Sequence, residues 1–227
     1  MASHFSLFAL EPWQQALSQM PLKSSATQLT NTNAIGLMLE SFQENETAKA
    51  LIFLPGATDE FYFFNRGKAT ITNNFPTLLD AITALTNQTL MRVTFRSPFI
   101  LVHSGEDSLQ PVAKITHEPT AERVLKKKFT PHVVYDDRDW DFILPALSFR
   151  LDTKILPGKR SHDSHHFYRH NLAAHNLNGW EILEALAFAG KTQFTVEKKK
   201  IVFEGDKRFR ERPKVPDNFD AIKDLKR

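Results

Sequence analysis

The sequence predicts an α+β protein made of two small sandwich modules, each a mixed sheet covered by helices. Three observations carry this expectation. Residues 129–204 alternate extended and helix-forming stretches in the order β-α-β-β-α-β. A polar, charged segment at 104–128, with Pro111 and Pro119, separates them from what precedes. The end of the first half also follows the pattern of the end of the second: Leu79-Asp80-Ala81-Ile82 answers Leu183-Glu184-Ala185-Leu186, and two extended runs follow each. The expected organisation is a first module over 1–103 with an insertion near 21–50, a linker over 104–128, a second module over 129–205 and a charged tail over 206–227.

In the first half, Pro12 suits the first turn of a helix that follows an extended stretch at 4–10. The Ser/Thr/Asn-rich run 23–33 reads as a loop and the apolar run 34–42 as a short helix. Two strands, 51–54 and 61–64, flank a Pro55-Gly56 turn, and 70–72 is extended. Leu78, Leu79, Ile82 and Leu85 recur with a helical period. Runs 90–95 and 99–102 form a hairpin around Ser97-Pro98.

In the second half, 131–135 is extended and 139–151 is a helix. Pro145 cannot sit deep in that helix without losing a backbone donor and clashing with the preceding turn, so a start capped by Asp141 is expected. A short strand at 153–156, a Pro157-Gly158 turn and an extended run at 166–172 follow. The helix at 178–189 is the best specified element. Asn178 can cap it, Glu181 completes a capping box, and Ile182, Leu183, Leu186 and Ala189 share a face. Gly190 is suited to a left-handed terminator. In the closing hairpin, alternation puts Phe194 and Val196 on one sheet face and leaves three lysines in the turn.

The run Asp136-Asp137-Arg138-Asp139-Trp140, a helix, Thr153-Lys154-Ile155-Leu156 and a second strand resemble the short N-terminal module of secretins and TonB-dependent receptors. So does the later helix, with Leu177 and Glu184-Ala185-Leu186, and its hairpin. The similarity is clearest over 129–204 and weak over 51–103. It implies periplasmic docking or signalling.

Composition narrows the function. The chain has 227 residues, 41% hydrophobic and 24% charged, enough apolar material for a core in each half. Nineteen Phe against three Tyr make Phe the expected core filler. A net charge of +3 gives weak attraction to acidic surfaces, not a nucleic-acid arm. With no cysteine there is no disulfide, thiolate metal site or thiol nucleophile. No apolar run approaches the ~18 residues of a membrane span. The first ten residues lack the basic start and apolar core of a signal. The expected location is periplasmic if a signal peptide has been removed, and otherwise cytoplasmic.

Candidate chemistry is sparse. Among His162, His165, His166, His170 and His175, the pair His162 and His165, with Asp163, has the best spacing for a metal. His166 and His170 lie about 13 Å apart at ~3.3 Å per strand residue, too far to share an ion. A solvated polar loop is the favoured reading of these residues. Asp136, Asp137, Asp139 and Asp141 fit no calcium loop and suit a helix N-terminus. No catalytic motif, phosphate loop or cofactor site is present. Basic knots at Lys126–Lys128, at Lys198, Lys199 and Lys200, and at Lys207, Arg208 and Arg210 are the candidate binding residues. The expected function is therefore non-enzymatic protein–protein docking, in an envelope-associated assembly. Nucleic-acid binding through the basic knots is the alternative, and a metal-dependent hydrolase using the His-rich loop is the weakest reading.

Overall fold

The computed structural model describes residues 9–23, 28–30, 33–54, 69–89, 91–104, 113–114, 119–158, 169–197 and 200–205. The fold is α+β. After α1 (Pro12–Ser18) come β1 (Gln28–Leu29), α2 (Ala34–Ser41), β2 (Ala50–Phe53), β3 (Ala69–Thr70), α3 (Leu78–Gln88) and the hairpin β4 (Met91–Arg96) and β5 (Phe99–Ser104). Next are β6 (Ala113–Lys114) and α4 (Pro119–Leu125). The second half holds β7 (Phe129–Arg138), α5 (Trp140–Leu151), β8 (Lys154–Pro157), β9 (His170–Asn178), α6 (Gly179–Ala189) and the hairpin β10 (Thr192–Glu197) and β11 (Lys200–Gly205). The expected strand at 61–64 lies outside the described residues.

One order of elements, β-α-β-β-α-β-β, occurs in both halves with the same pairings. The first and third strands pair antiparallel, β1 with β3 and β7 with β9. The hairpin pairs with the second strand in parallel, β5 with β2 and β11 with β8. The second helix and its hairpin strands begin at 78, 91 and 99 in the first half and at 179, 192 and 200 in the second, a constant spacing of 101 residues, which corrects the expected match by three positions and sets Ile82, not Leu79, against Leu183.

The halves meet in one sheet. β9 pairs antiparallel with β2, Leu51 opposite Ala173 and Ile52 opposite Leu172, which gives a five-stranded order β4-β5-β2-β9-β7. This sheet is apolar on both faces, so Ala50, Leu51, Ile52 and Phe53 are all buried. Leu51, Phe53, Ile100 and Val102 pack toward α1, α2 and α3. Ala50, Ile52, Phe99 and Leu101 pack toward α5 and α6. The second sheet, β6-β10-β11-β8, covers the far side of α5 and α6 with Phe194, Val196, Ile201 and Phe203. Trp140 lies 4.8 Å from Phe203 and Trp180 5.1 Å from Phe194, ring centre to ring centre. Lying between two sheets, α6 is apolar nearly all round.

The 104–128 segment is more than a connection. β6 pairs with β10, and α4 sends Leu125 into the core. The polar residues of α4 and its end lie at its solvated side, including the Glu122–Lys126 ion pair.

Local capping explains the best-read elements. Asn178 accepts from the N–H groups of Trp180 and Glu181, and Glu181 accepts from the Asn178 N–H. Thr77 and Asp80 do the same for α3. Two expectations are corrected. Asp139, not Asp141, caps α5 by accepting from the Phe142 N–H at 3.0 Å, so Pro145 lies inside the helix. Pro145 is solvent-facing, as is Asp141, whose carbonyl it deprives of a donor, so solvent can satisfy that carbonyl. Gly190 is not left-handed: its φ is −103°, and Lys191 takes the positive φ instead. Glycine is needed at 190 for space, because an added Cβ would lie 2.5 Å from His170 Nε2 and 2.9 Å from Trp140 Cζ2.

The outer edge of β8 is closed by its own helix. The Ile155 N–H donates to the Ser148 hydroxyl at 3.1 Å, and Pro157, two residues on, has no N–H to offer. The corresponding edge of β2 is the one that β9 occupies.

Candidate docking face

Among the described residues, α5 has a second apolar side that is exposed. On α5, Trp140, Ile143, Leu144, Leu147 and Leu151 face the core. Phe142, Pro145, Ala146 and Phe149 face out, with Phe142 55% and Phe149 89% exposed. These four follow the i, i+3, i+4, i+7 spacing of one helical stripe, and the two phenyl groups are about 10 Å apart along the axis at 1.5 Å per residue. Exposing two Phe on one helix has an unfavourable solvation cost that solvent-facing polar side chains would avoid.

The stripe is rigidly presented. The inner face anchors α5 against both sheets, and Asp139 fixes its start. The guanidinium of Arg138 sits 5.0 Å from the Phe142 ring centre and holds that ring at the helix entrance. Charge surrounds the apolar strip: Asp141 and Arg150 are exposed on the helix, and Arg169 lies 3.7 Å from Asp139 and 3.9 Å from Asp137. An apolar centre with a charged rim is the anatomy of a protein interface.

The acidic cluster has structural uses. Asp139 is the cap. Asp137 has a positive φ at the β7 irregularity, and its N–H donates to Asn171 Oδ1 at 2.9 Å. Asp136 lies against Gly36 of α2. Burial, then the neighbouring Asp137 and Glu40, push its carboxyl above the ordinary range.

The expected binding residues are only partly placed. Lys200 pairs with Glu197 at 2.7 Å, half exposed on both sides, which is worth little in stability. Lys198, Lys199, Lys207, Arg208 and Arg210 lie outside the described residues, as do the candidate metal ligands His162, Asp163 and His165. His170 is fully buried against Trp140, with Nδ1 3.1 Å from the Arg138 carbonyl, and is a core residue. Among the described residues no group of three or more His, Cys, Asp or Glu is placed to hold a metal, and no helix is long and apolar enough to cross a membrane.

Sequence reading missed the outer stripe because α5 is apolar on both sides, so its periodicity is blurred. The signal was present in the spacing of residues 142, 145, 146 and 149. It also passed over His132, which the fold places directly opposite His175.

No protein-family model matches the chain, and no curated protein or solved structure is significantly similar to it.

Proposed function

We propose that this chain is a non-enzymatic protein-docking module that offers the outer face of α5 to an apolar groove on a protein partner. The exposed stripe Phe142, Pro145, Ala146 and Phe149 carries the reading. A helix presenting anchors at this spacing is one of the recurrent modes of protein recognition, with the groove supplying the apolar walls. A stripe already held on a folded helix loses little conformational entropy on binding. Rim charges at Asp141 and Arg150 would set orientation and encounter rate more than affinity.

Two further features support the wider setting. The constant spacing and repeated pairings favour two tandem copies of one unit, arisen by duplication. The order β7-α5-β8-β9-α6-β10-β11 contains the β-α-β-β-α-β series of the secretin and TonB-receptor module. On that resemblance we assign the chain to an envelope-associated assembly, in the periplasm where a signal peptide has been removed.

The test is quantitative affinity enrichment with the wild-type chain and a Phe142→Ser, Phe149→Ser double variant. Phe149 is solvent-facing and Phe142 half-exposed beneath Arg138, so the variant is expected to lose no more than ~1 kcal/mol of stability. Protein partners retained by wild type should be lost with the variant. If the same proteins are retained equally by both, the α5 face is not the docking surface. If nucleic acid is the sole ligand, lost steeply with salt and indifferent to the two Phe, the docking reading fails.

A further inference from the structure

Two histidines from neighbouring strands meet on the junction between the halves. His132 of β7 and His175 of β9 are directly opposed in register. Their ring centres are 4.2 Å apart, and their Nδ1 atoms are 3.1 Å apart. We infer that His132 and His175 form a two-imidazole chelate for a borderline divalent transition-metal ion of the Zn2+ type. The inference is independent of the docking reading.

The geometry carries it. With metal–nitrogen bonds of ~2.05 Å, a 3.1 Å separation gives a nitrogen–metal–nitrogen angle of about 98°, between the octahedral and tetrahedral values. One ring is already set for this use. His175 Nε2 lies 3.2 Å from the Phe42 carbonyl, which can only accept, so Nε2 carries the hydrogen. A neutral imidazole protonated there leaves Nδ1 unprotonated, and in the metal-free protein this nitrogen accepts from the His132 Nδ1–H, a hydrogen that His132 must carry on Nε2 instead when a metal takes its place.

The supporting shell is built from the segment after α2. The Phe42 ring packs 5.7 Å from His175, the His175 N–H donates to the Lys49 carbonyl at 2.8 Å, and the Asn176 side chain donates to Glu44. A backbone carbonyl on the distal ring nitrogen is the usual means of fixing a metal-binding tautomer. His132 is solvent-exposed and closes the chelate from the edge strand. The site has two protein ligands, so the remaining positions fall to water. Two imidazoles select zinc, copper or nickel over magnesium and calcium, which take oxygen.

The experiment is calorimetric titration of the full chain with Zn2+, alongside a His132→Gln variant, a His162→Gln, His165→Gln variant and a Mg2+ control. His132 is exposed, so its replacement leaves the fold intact, which circular dichroism verifies. Expected are one Zn2+ site in the wild-type chain, at least a tenfold loss of affinity in His132→Gln, no change in the double variant, and no Mg2+ binding. Electron paramagnetic resonance of the Cu2+-loaded chain should count two nitrogen ligands in wild type and one in His132→Gln. The inference is overturned by absence of Zn2+ binding at 1 mM-scale concentrations. It is equally overturned by an unchanged affinity in His132→Gln, or by an equal loss in the His162, His165 variant.

Discussion

Replacing Gly190 with alanine separates two physical reasons for a glycine at the end of α6. The backbone there has φ −103°, which any residue adopts, so conformation opposes nothing. Space does. The new Cβ would stand 2.5 Å from His170 Nε2 and 2.9 Å from Trp140 Cζ2, against ordinary contacts of ~3.5–4.0 Å. Something must move by roughly 1 Å, and both neighbours are essentially fully buried. Overpacking of this kind costs ~1–3 kcal/mol. Alanine also narrows the unfolded ensemble, which returns ~0.4–1 kcal/mol. The net expectation is a loss of about 1–2 kcal/mol. Urea unfolding followed by tryptophan fluorescence reads it directly, since Trp140 and Trp180 are core residues of α5 and α6. With a slope near ~3 kcal/mol/M, the midpoint should fall by roughly 0.5 M. Gly190→Asn should be worse than alanine, whereas a left-handed requirement would make it better. Gly36→Ala is the control, because its Cβ would meet only the mobile end of Asp136, at 3.1 Å. A Gly190→Ala protein as stable as wild type would refute the steric argument.

Two further outcomes follow from charge and topology. Burial raises the Glu184 carboxyl pKa, outweighing the opposing contributions of Trp180 and Arg96. The native state therefore binds more protons than the unfolded chain between the two pKa values. Stability falls as pH rises through that window, and Glu184→Gln should be more stable than wild type at neutral pH and flatter across the window. Equal pH profiles for the two proteins would contradict this. Limited proteolysis is expected to cut first within 104–128, yet the fragments should stay together on size-exclusion chromatography, because β2 and β9 are paired and share a core. Fragments that separate, each still folded, would mean the shared sheet contributes little.

Sequence carried most where one residue type has one local use. Asn178 with Glu181 reads as a helix start, and Phe194 and Val196 alternate as a half-buried strand must. It carried less where a choice between equivalent options depends on what lies far along the chain. Asp139 and Asp141 are both good caps, and only the course of β7 into α5 selects the first. The extended run expected at 166–172, of which 166–168 lie outside the described residues, stops short of the end of β9 because the buried Ala173 and Ala174 have weak strand preference and gain it from β2 and β7 on either side. The β2–β9 pairing joins residues more than a hundred positions apart and has no local signature. The stripe on α5 and the opposition of His132 to His175 share that origin: each needs the fold before the residues become neighbours.

The hydroxyl of Ser148 on the Ile155 amide has a consequence for growth by accretion. The sheet of the first half accepts a strand from the second half along β2. A unit with the same order of elements offers the same kind of ledge along β8. Left open, that ledge would let copy after copy add on, as beads join an unending string. With the Ile155 N–H already given to Ser148 and none at Pro157, a strand approaching β8 as β9 approaches β2 would find no donor at either position.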